Sequence, residues 1–563
     1  MRSKYVLAIS IAVVTFIVYL SSLQNGFINW DDGGYVYDNS FIRSFDTQLL
    51  KSAFLEFHLG LWIPLTWLSH AVDYAIWGLN PLGHHLTSNI IHSLNTFLVV
   101  LLILRLLEEY QKVAVPTGTS QPLLSDRTMK IIAATTGLLF GLHPLHVESV
   151  AWVSERKDLL CAFFYLLTLI TYTDYASEFK AGDSINACSR YFNKKYLSLL
   201  ALFILALLSK PMAVSLPFVL LILDWYVFRR IKSLKTFITS SLEKLPFFAL
   251  ALISSIAAIL ALKASGTTEH WNTIPLLVRM MIAFKSLIVY LGKMIVPFHL
   301  VPLYILRHPE KVYSVLIEYI VPFIMVTAIT GTCIAVIRKH KLWLSIWSYY
   351  VITLMPVIGI FQVGVVAMAD RYTYLPSLGP FFIIGLLSAK IYEKVSSLNR
   401  WRMMPSTASI VIAISVFAFL SYATILQVGI WENSIVFWNY VIDKEPSFLN
   451  AYIKLGEAYT DEKLFDKSIE QIRIALDLRP DYAVAYNTLG LAYLSKGQPD
   501  MAIEQFRAAL RLKPNYADAH FNLGNSYLRK GSKIMAQEEF ESGLAIEPNE
   551  DRARQVLNSI DSM

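Results

Sequence analysis

The sequence predicts an all-α protein in two parts: a polytopic bundle of membrane-spanning helices, then a solenoid of short helical repeats. Three observations carry this reading. The 563 residues are 55% hydrophobic and only 16% charged, with a mean hydropathy of +0.48, whereas a soluble domain carries about 25% charged residues. The charge is uneven: residues 444–563 hold 15 Lys and Arg with 18 Asp and Glu, a soluble density, and the first 443 residues carry about half of it. A period of 34 residues runs through the same tail. Intrinsic disorder, a collagen-like fibre and an ordinary cytosolic globule are excluded by composition alone. The net charge of +7 divides into −3 for the tail and +10 for the apolar part. That excess reads as Lys and Arg flanking membrane spans, not as a nucleic-acid surface.

Met1-Arg2-Ser3-Lys4 precedes an apolar run over 5–23, long enough for one helical crossing. No small-residue cleavage site follows and further spans do, so the run is an uncleaved first span with its N-terminus in the cytoplasm. Eleven more apolar segments lie near 86–107, 131–142, 159–172, 196–208, 212–228, 245–262, 276–296, 313–337, 342–360, 375–389 and 408–426. Basic clusters at Arg127 and Lys130, Lys194 and Lys195, Arg229 to Lys235, Arg338 to Lys341 and Lys390 to Arg402 mark the cytoplasmic side. Counted forward, the segment 245–262 exits outward; counted back from Arg338–Lys341, the stretch 298–312 also lies outside. Segment 276–296 therefore makes no net crossing and either re-enters or lies along the outer face. About eleven crossings remain, which puts the tail outside. Cys161, Cys188 and Cys333 have apolar or near-membrane surroundings and no CxxC spacing; they read as small buried hydrophobes rather than disulfide or zinc ligands.

In the tail, Gly456, Gly490 and Gly524 stand 34 residues apart, as do Pro446, Pro480, Pro514 and Pro548. That period belongs to tetratricopeptide repeats. Tyr486, Leu489, Gly490, Tyr493, Ala502, Phe506, Ala509 and Pro514 give the middle unit, and its neighbours match in phase. Small residues let the paired helices touch and aromatics fill the space between units. Trp438, Val441 and Pro446 continue the phase backwards, so Ser434–Lys444 reads as a lone second helix. The domain division is thus 1–430 for the membrane part and 431–563 for a half repeat plus three repeats. Such arrays present a concave surface to a protein or peptide; a plain spacer or dimerisation role is the simpler alternative.

The first outer segment, 24–85, has no clear span and is too aromatic to be disordered. It opens with Asn29-Trp30-Asp31-Asp32-Gly33-Gly34-Tyr35. Two adjacent carboxylates at a membrane surface repel each other, so at least one is paired with a cation or titrates high. Asp31 and Asp32 are candidates for a general base, against the plainer reading of an Asp-Gly turn. Polar residues recur on the same side: Gly141-Leu142-His143-Pro144-Leu145-His146-Val147-Glu148, then Ser154-Glu155-Arg156-Lys157-Asp158, then Ser209-Lys210-Pro211, then Ala369-Asp370-Arg371-Tyr372. Polar groups this close to hydrocarbon are costly and are functional candidates by default. Arg156, Lys157, Lys210 and Arg371 have the chemistry to hold a phosphate, with structural salt bridges of Glu155 or Asp158 as the alternative. His143, His146 and Glu148 are spaced loosely for a metal, but Pro144 breaks a regular helix between the histidines, and hydrogen-bonding roles are expected instead.

Trp30-Asp31-Asp32, His143 to Glu148 with Ala151-Trp152-Val153, Arg156-Lys157-Asp158 and Asp370-Arg371-Tyr372-Thr373-Tyr374-Leu375-Pro376 occur in that order, ahead of the repeats. With this ordered set the chain resembles, over nearly its whole length, the transmembrane-and-tetratricopeptide-repeat O-mannosyltransferases and their bacterial relatives, which look like GT-C glycosyltransferases. The resemblance implies a polyprenyl-phosphate sugar as donor, inverting transfer at the outer membrane face to Ser or Thr of a protein, and no metal or other cofactor. It places the base at Asp31 or Asp32. It leaves His143, His146, Glu148, Arg156, Lys157, Asp158, Lys210, Asp370, Arg371 and Tyr372 as donor-binding residues. Two departures stand out: Leu61-Trp62-Ile63-Pro64 lies where many relatives carry Tyr-Arg-Pro, and Pro211 where an acid follows the Ser-Lys pair.

The expected protein is a multi-pass enzyme of a bacterial inner membrane, surrounded by lipid, with the acceptor docked on the repeats and no nucleic-acid partner. A membrane-anchored repeat scaffold without catalysis is the alternative; it gives the membrane-edge acids and cations no work. A transporter ranks last, since its charges would lie near mid-span.

Overall fold

The computed structural model describes residues 2–114, 123–178, 193–265, 275–305, 316–360, 366–397 and 404–562; Cys188 falls outside them. The architecture is the all-α one predicted, and the chain divides into two compact units. The first comprises Met1–Phe27 with Asp31–Trp431; the second comprises Ile28–Trp30 with Glu432–Met563.

The first unit is built on helices α1 (Arg2–Val18), α2 (Thr47–Leu55), α3 (Pro64–Trp77), α4 (Pro81–Ala114), α5 (Asp126–Leu142), α6 (Arg156–Glu178), α7 (Lys194–Ser209), α8 (Leu216–Tyr226), α9 (Leu234–Glu243), α10 (Leu245–Ala264), α11 (Leu276–Ile295), α12 (Val321–Ala335), α13 (Lys341–Leu354), α14 (Leu378–Ser397) and α15 (Met404–Gly429). The long α4 is the central post: α1, α3, α5 and α6 all pack on it. Six described helical stretches are long and apolar enough to cross a membrane, namely Arg2–Gln24, Pro81–Ala114, Val153–Glu178, Leu245–Ala264, Ile317–Ala335 and Ile410–Gly429. The count of about eleven came from charge parity and includes shorter apolar helices, such as α7 and α13, that do not reach this length. Segment 276–296 forms one helix over Leu276–Ile295. It buries Ile282, Ser286 and Tyr290 at a spacing of four, and carries Arg279, Lys285 and Lys293.

The first loop is ordered by a core of its own. Tyr35, Val36, Ile42, Leu49, Ile63 and Trp67 pack together, and Val153 joins them. This packing ties the loop to the segment just before α6. Cys161 and Cys333 are buried free thiols, and Cys161 Sγ donates to the Lys210 carbonyl at 3.7 Å. A two-stranded antiparallel ribbon, Tyr304–Ile305 against Val366–Met368, brings two distant parts of the unit together.

The second unit is the repeat array, α16 (Ser434–Lys444), α17 (Leu449–Asp461), α18 (Phe465–Leu478), α19 (Ala483–Ser495), α20 (Pro499–Leu512), α21 (Ala517–Arg529), α22 (Lys533–Ile546) and α23 (Asp551–Ser562). The periodic glycine has a steric cause: a Cβ at Gly490 would lie 2.6 Å from the Phe506 ring. Ile28–Trp30 belongs to this unit. Trp438 donates its indole N–H to Asn29 Oδ1 at 2.6 Å, Asn29 donates to the Lys454 carbonyl at 3.0 Å, and Trp30 packs on Phe437 and Trp438. The run Asn29 to Tyr35, read as one motif in the sequence, is therefore divided after Trp30.

Candidate functional site

Broken helices set the site. Pro144 ends the α5 direction, and the chain proceeds through single turns, Pro144–His146, Val147–Ala151 and Val153–Glu155, before α6 starts at Arg156. Lys210 has extended backbone between the end of α7 and the turn opened by Pro211. Arg371 lies in the turn Asp370–Thr373, after the ribbon. These irregular joints free side chains that a continuous helix would direct elsewhere.

They converge on Glu155. Its Oε1 lies 2.9 Å from Lys157 Nζ and 3.2 Å from Arg371 Nε, and its Oε2 lies 3.4 Å from Lys210 Nζ. Lys210 also pairs with Asp158 at 2.5 Å. The Arg371 guanidinium pairs with Glu148, whose second oxygen accepts the Arg371 backbone N–H at 2.9 Å. Three cations from three separate stretches thus share a set of three acids. Aromatic faces border them: Trp152 lies 5.5 Å from the Arg371 guanidinium and Tyr35 lies 4.7 Å from Lys157 Nζ, while Tyr372 lies 5.0 Å from Arg371.

The two adjacent aspartates have different surroundings. Asp32 is 1% exposed and accepts both the backbone N–H of Ser154, at 3.0 Å, and the Ser154 hydroxyl. Asp31 stays half-buried and interacts electrostatically with Lys157. Arg156 turns away from Glu155: its guanidinium pairs with Asp73, donates to the His84 carbonyl at 2.6 Å and reaches Ser88 at 3.4 Å. Lys210 and Arg371 are the cations of the Glu155 set that keep most exposure, 12% each.

The remaining predicted residues flank this set. His146 is held between the Phe140 carbonyl, at 2.7 Å, and Ser377 Oγ, at 3.1 Å. His143 accepts the Leu145 N–H at 3.3 Å and packs on Phe381. Burial pushes both imidazoles down, to about 4 for His146 and about 3 for His143, so both are neutral near pH 7. Among the described residues no group of three or more His, Cys, Asp or Glu is placed to hold a metal. Asp370 accepts the Tyr304 O–H at 2.7 Å; burial pushes its carboxyl up to about 7, with Lys293 partly offsetting this. Burial also raises Glu148 from its ordinary range despite Arg371. Burial opposes the charge on Arg371, but Glu148 and Glu155 outweigh it and hold the guanidinium well above its ordinary value. Lys210 is likewise raised, with Asp158 and Glu155 exceeding the effect of burial.

Sequence reasoning passed over two partners. Glu155 was visible in its motif but read as a salt-bridge acid; its place at the centre depends on Lys210 and Arg371, far away in the chain. Asp73, the partner of Arg156, lies mid-helix in α3 with no local signal.

An apolar multi-helix unit with an ion cluster, joined to a repeat array, is the kind of protein this architecture defines. Residues 449–482 and 517–550 match the tetratricopeptide-repeat family model, and 490–531 match a TPR-repeat model. The chain is similar to protein O-mannosyl-transferases. It is 30% identical over 182 residues to Tmtc1 of Drosophila melanogaster, covering 31% of this chain and 19% of that protein. It is 31% identical over 227 residues to Tmtc2 of the same fly, covering 38% and 21%. It is 33% identical over 114 residues to TMTC2 of Homo sapiens, covering 20% and 11%. The family resemblance seen in the motifs is matched by these relatives, of whose length the chain spans about a fifth or less. A crystal structure of MamA protein is 30% identical, covers 23% of this chain and 69% of its own, and has a TM-score of 0.21.

Proposed function

We propose that this chain is an integral-membrane glycosyltransferase that moves a sugar from a polyprenyl-phosphate donor to a Ser or Thr hydroxyl of a protein at the outer membrane face. The observation that carries this reading is the convergence of Lys157, Lys210 and Arg371 on Glu155, beside the Asp31-Asp32 pair. Lys210 and Arg371 hold the donor phosphate, exchanging part of their carboxylate pairing for phosphate oxygens and stabilising the charge that develops on the leaving group. Tyr372 supplies a ring face for the sugar.

Asp31 takes the acceptor proton. Asp32 is the poorer base because Ser154 already engages its carboxylate and it is nearly sealed from solvent; its role is to fix the first loop against α6. The repeats hold the acceptor segment and raise its local concentration. The names of the relatives support mannose as the sugar.

The test uses full-length protein in lipid nanodiscs with polyprenyl-phosphate mannose and a Ser/Thr peptide. Asp31→Asn should lower transfer by about 10²- to 10⁴-fold while the protein keeps its thermal stability. Full transfer by that variant removes Asp31 as the base. Donor that is never consumed by the unaltered protein removes the enzyme reading and leaves a repeat scaffold.

A further inference from the structure

The far end of the first unit holds a second site that sugar transfer does not use. On α4, His84 marks the ion-cluster end through its bond to Arg156. Tyr110 lies 26 residues further on, or about 39 Å along the helix axis. There a cavity of about 1210 Å³ opens, lined by Tyr110, Trp225, Arg229, Lys232, Arg338 and Lys341 among others, with no Asp or Glu among the described residues of its wall. It shares Tyr110, Ile222, Tyr226 and Leu342 with an adjoining groove of about 320 Å³ whose wall is almost wholly apolar, including Leu106, Leu223 and Phe382.

The cations are presented rather than spent. Arg229, Lys232, Arg338 and Lys341 are exposed, and among the described residues none has a carboxylate partner. The adjacent Arg230 is held by Asp224 and Glu243. Arg229 adopts φ +50°, the left-handed region that a long side chain rarely takes. Its guanidinium lies 5.7 Å from the Tyr110 ring, and Tyr110 stacks on Tyr226 with ring centres 5.2 Å apart. Lys341 Nζ lies 5.5 Å from the Trp225 ring. Beside them α9 leaves Leu234, Phe237, Ile238 and Leu242 exposed on a helix that also carries Lys235, the pattern of a helix lying in a membrane interface.

We propose that this end of the bundle binds an acidic bilayer phospholipid, its phosphate among Arg229, Lys232 and Arg338 and one acyl chain in the apolar groove. The charge without local carboxylates selects an anion. The groove continuous with it selects an anion bearing a hydrocarbon tail. The inference stands apart from the sugar-transfer reading, since it uses none of the ion-cluster residues.

Native mass spectrometry of the full-length protein in neutral detergent tests it, with phosphatidylglycerol, phosphatidylcholine, inorganic phosphate and undecaprenyl phosphate as probes. Phosphatidylglycerol should be retained at about tenfold lower concentration than phosphatidylcholine. The triple variant Arg229→Gln, Lys232→Gln, Arg338→Gln alters exposed positions and should weaken that retention by about 10²-fold. Leu106→Trp, which fills the groove, should weaken lipid retention and leave the basic pocket intact. Equal retention of the two phospholipids, equal binding of inorganic phosphate, or tighter binding of undecaprenyl phosphate each overturns the proposal.

Discussion

Two buried ion clusters lie at opposite ends of the membrane unit and meet the same electrostatic demand in different ways. In one, Asp224 accepts from Tyr172 O–H at 2.6 Å, Ser240 O–H at 2.5 Å, Lys244 at 2.6 Å and Arg230 at 3.0 Å, and Glu243 takes the second arm of Arg230 at 2.6 Å. Apart from Tyr172, its members come from one stretch, 224–244, and Asp224 and Lys244 are sealed from solvent. In the other, Glu155, Glu148 and Asp158 meet Lys157, Lys210 and Arg371, drawn from stretches more than fifty residues apart, and the last two remain partly exposed. Both clusters balance their charge. The first has its acceptors filled by hydroxyls and serves as a rivet between α6, α8 and α9. The second leaves Lys210 and Arg371 12% exposed each, and in the proposed function that is where a substrate anion competes for them.

The sharpest way to break this contrast is to neutralise a pair in each cluster without leaving a lone buried charge. Glu148→Gln with Arg371→Gln should fold, because replacing both partners of a buried pair is often close to neutral, and should lose about 10²- to 10³-fold in sugar transfer. Asp224→Asn with Lys244→Met should fold and transfer at the unaltered rate. Equal loss of transfer in both doubles, measured with the same donor and peptide, would show that the distinction between rivet and site is false. The next effect is on stability. Asp224→Asn alone leaves Lys244 and Arg230 sharing Glu243, and should cost about 3 kcal/mol. Arg371→Gln alone should cost less, because Glu148 can take up a proton. Thermal unfolding in detergent ranks the two; the reverse order would contradict the link drawn between the greater exposure of the second cluster and its tolerance of a lost partner.

The contrast also explains what could be read from the chain. The repeats were legible residue by residue, because each unit packs on its neighbour and the period of Gly490 and Phe506 survives in the sequence. The split between an apolar part and a charged tail followed from composition. Asp31, Asp32, Lys157, Lys210 and Arg371 were legible as polar groups at helix ends, where hydrocarbon makes them costly. The centre at Glu155 was not, because its partners are set by which helices pack together. Nor was the difference between Asp31 and Asp32: the residues are adjacent and identical, and Asp32 is set apart by its burial and by the approach of Ser154. Arg156 was grouped with the cations of the site, yet α3 supplies Asp73 to hold it, and nothing near Asp73 in the sequence announces that.

The last expected effect concerns Asp370, which borders the second cluster through Arg371. Burial raises its carboxyl from 3.8 to about 7, and the Tyr304 hydroxyl donates to it. Below pH 4 the folded and unfolded chains both hold the proton. Between about pH 4 and 7 the unfolded chain releases it and the folded chain keeps it, so rising pH draws the equilibrium toward the unfolded state. Stability from this group is therefore fully present below pH 4 and is lost by about pH 7. Asp370→Asn keeps a carbonyl for Tyr304 and cannot ionise. The advantage of the variant in melting temperature over the unaltered protein should accordingly widen from pH 5 to pH 7 and then level off. Parallel melting curves across that range would mean that Asp370 is ionised throughout and that Lys293 outweighs burial.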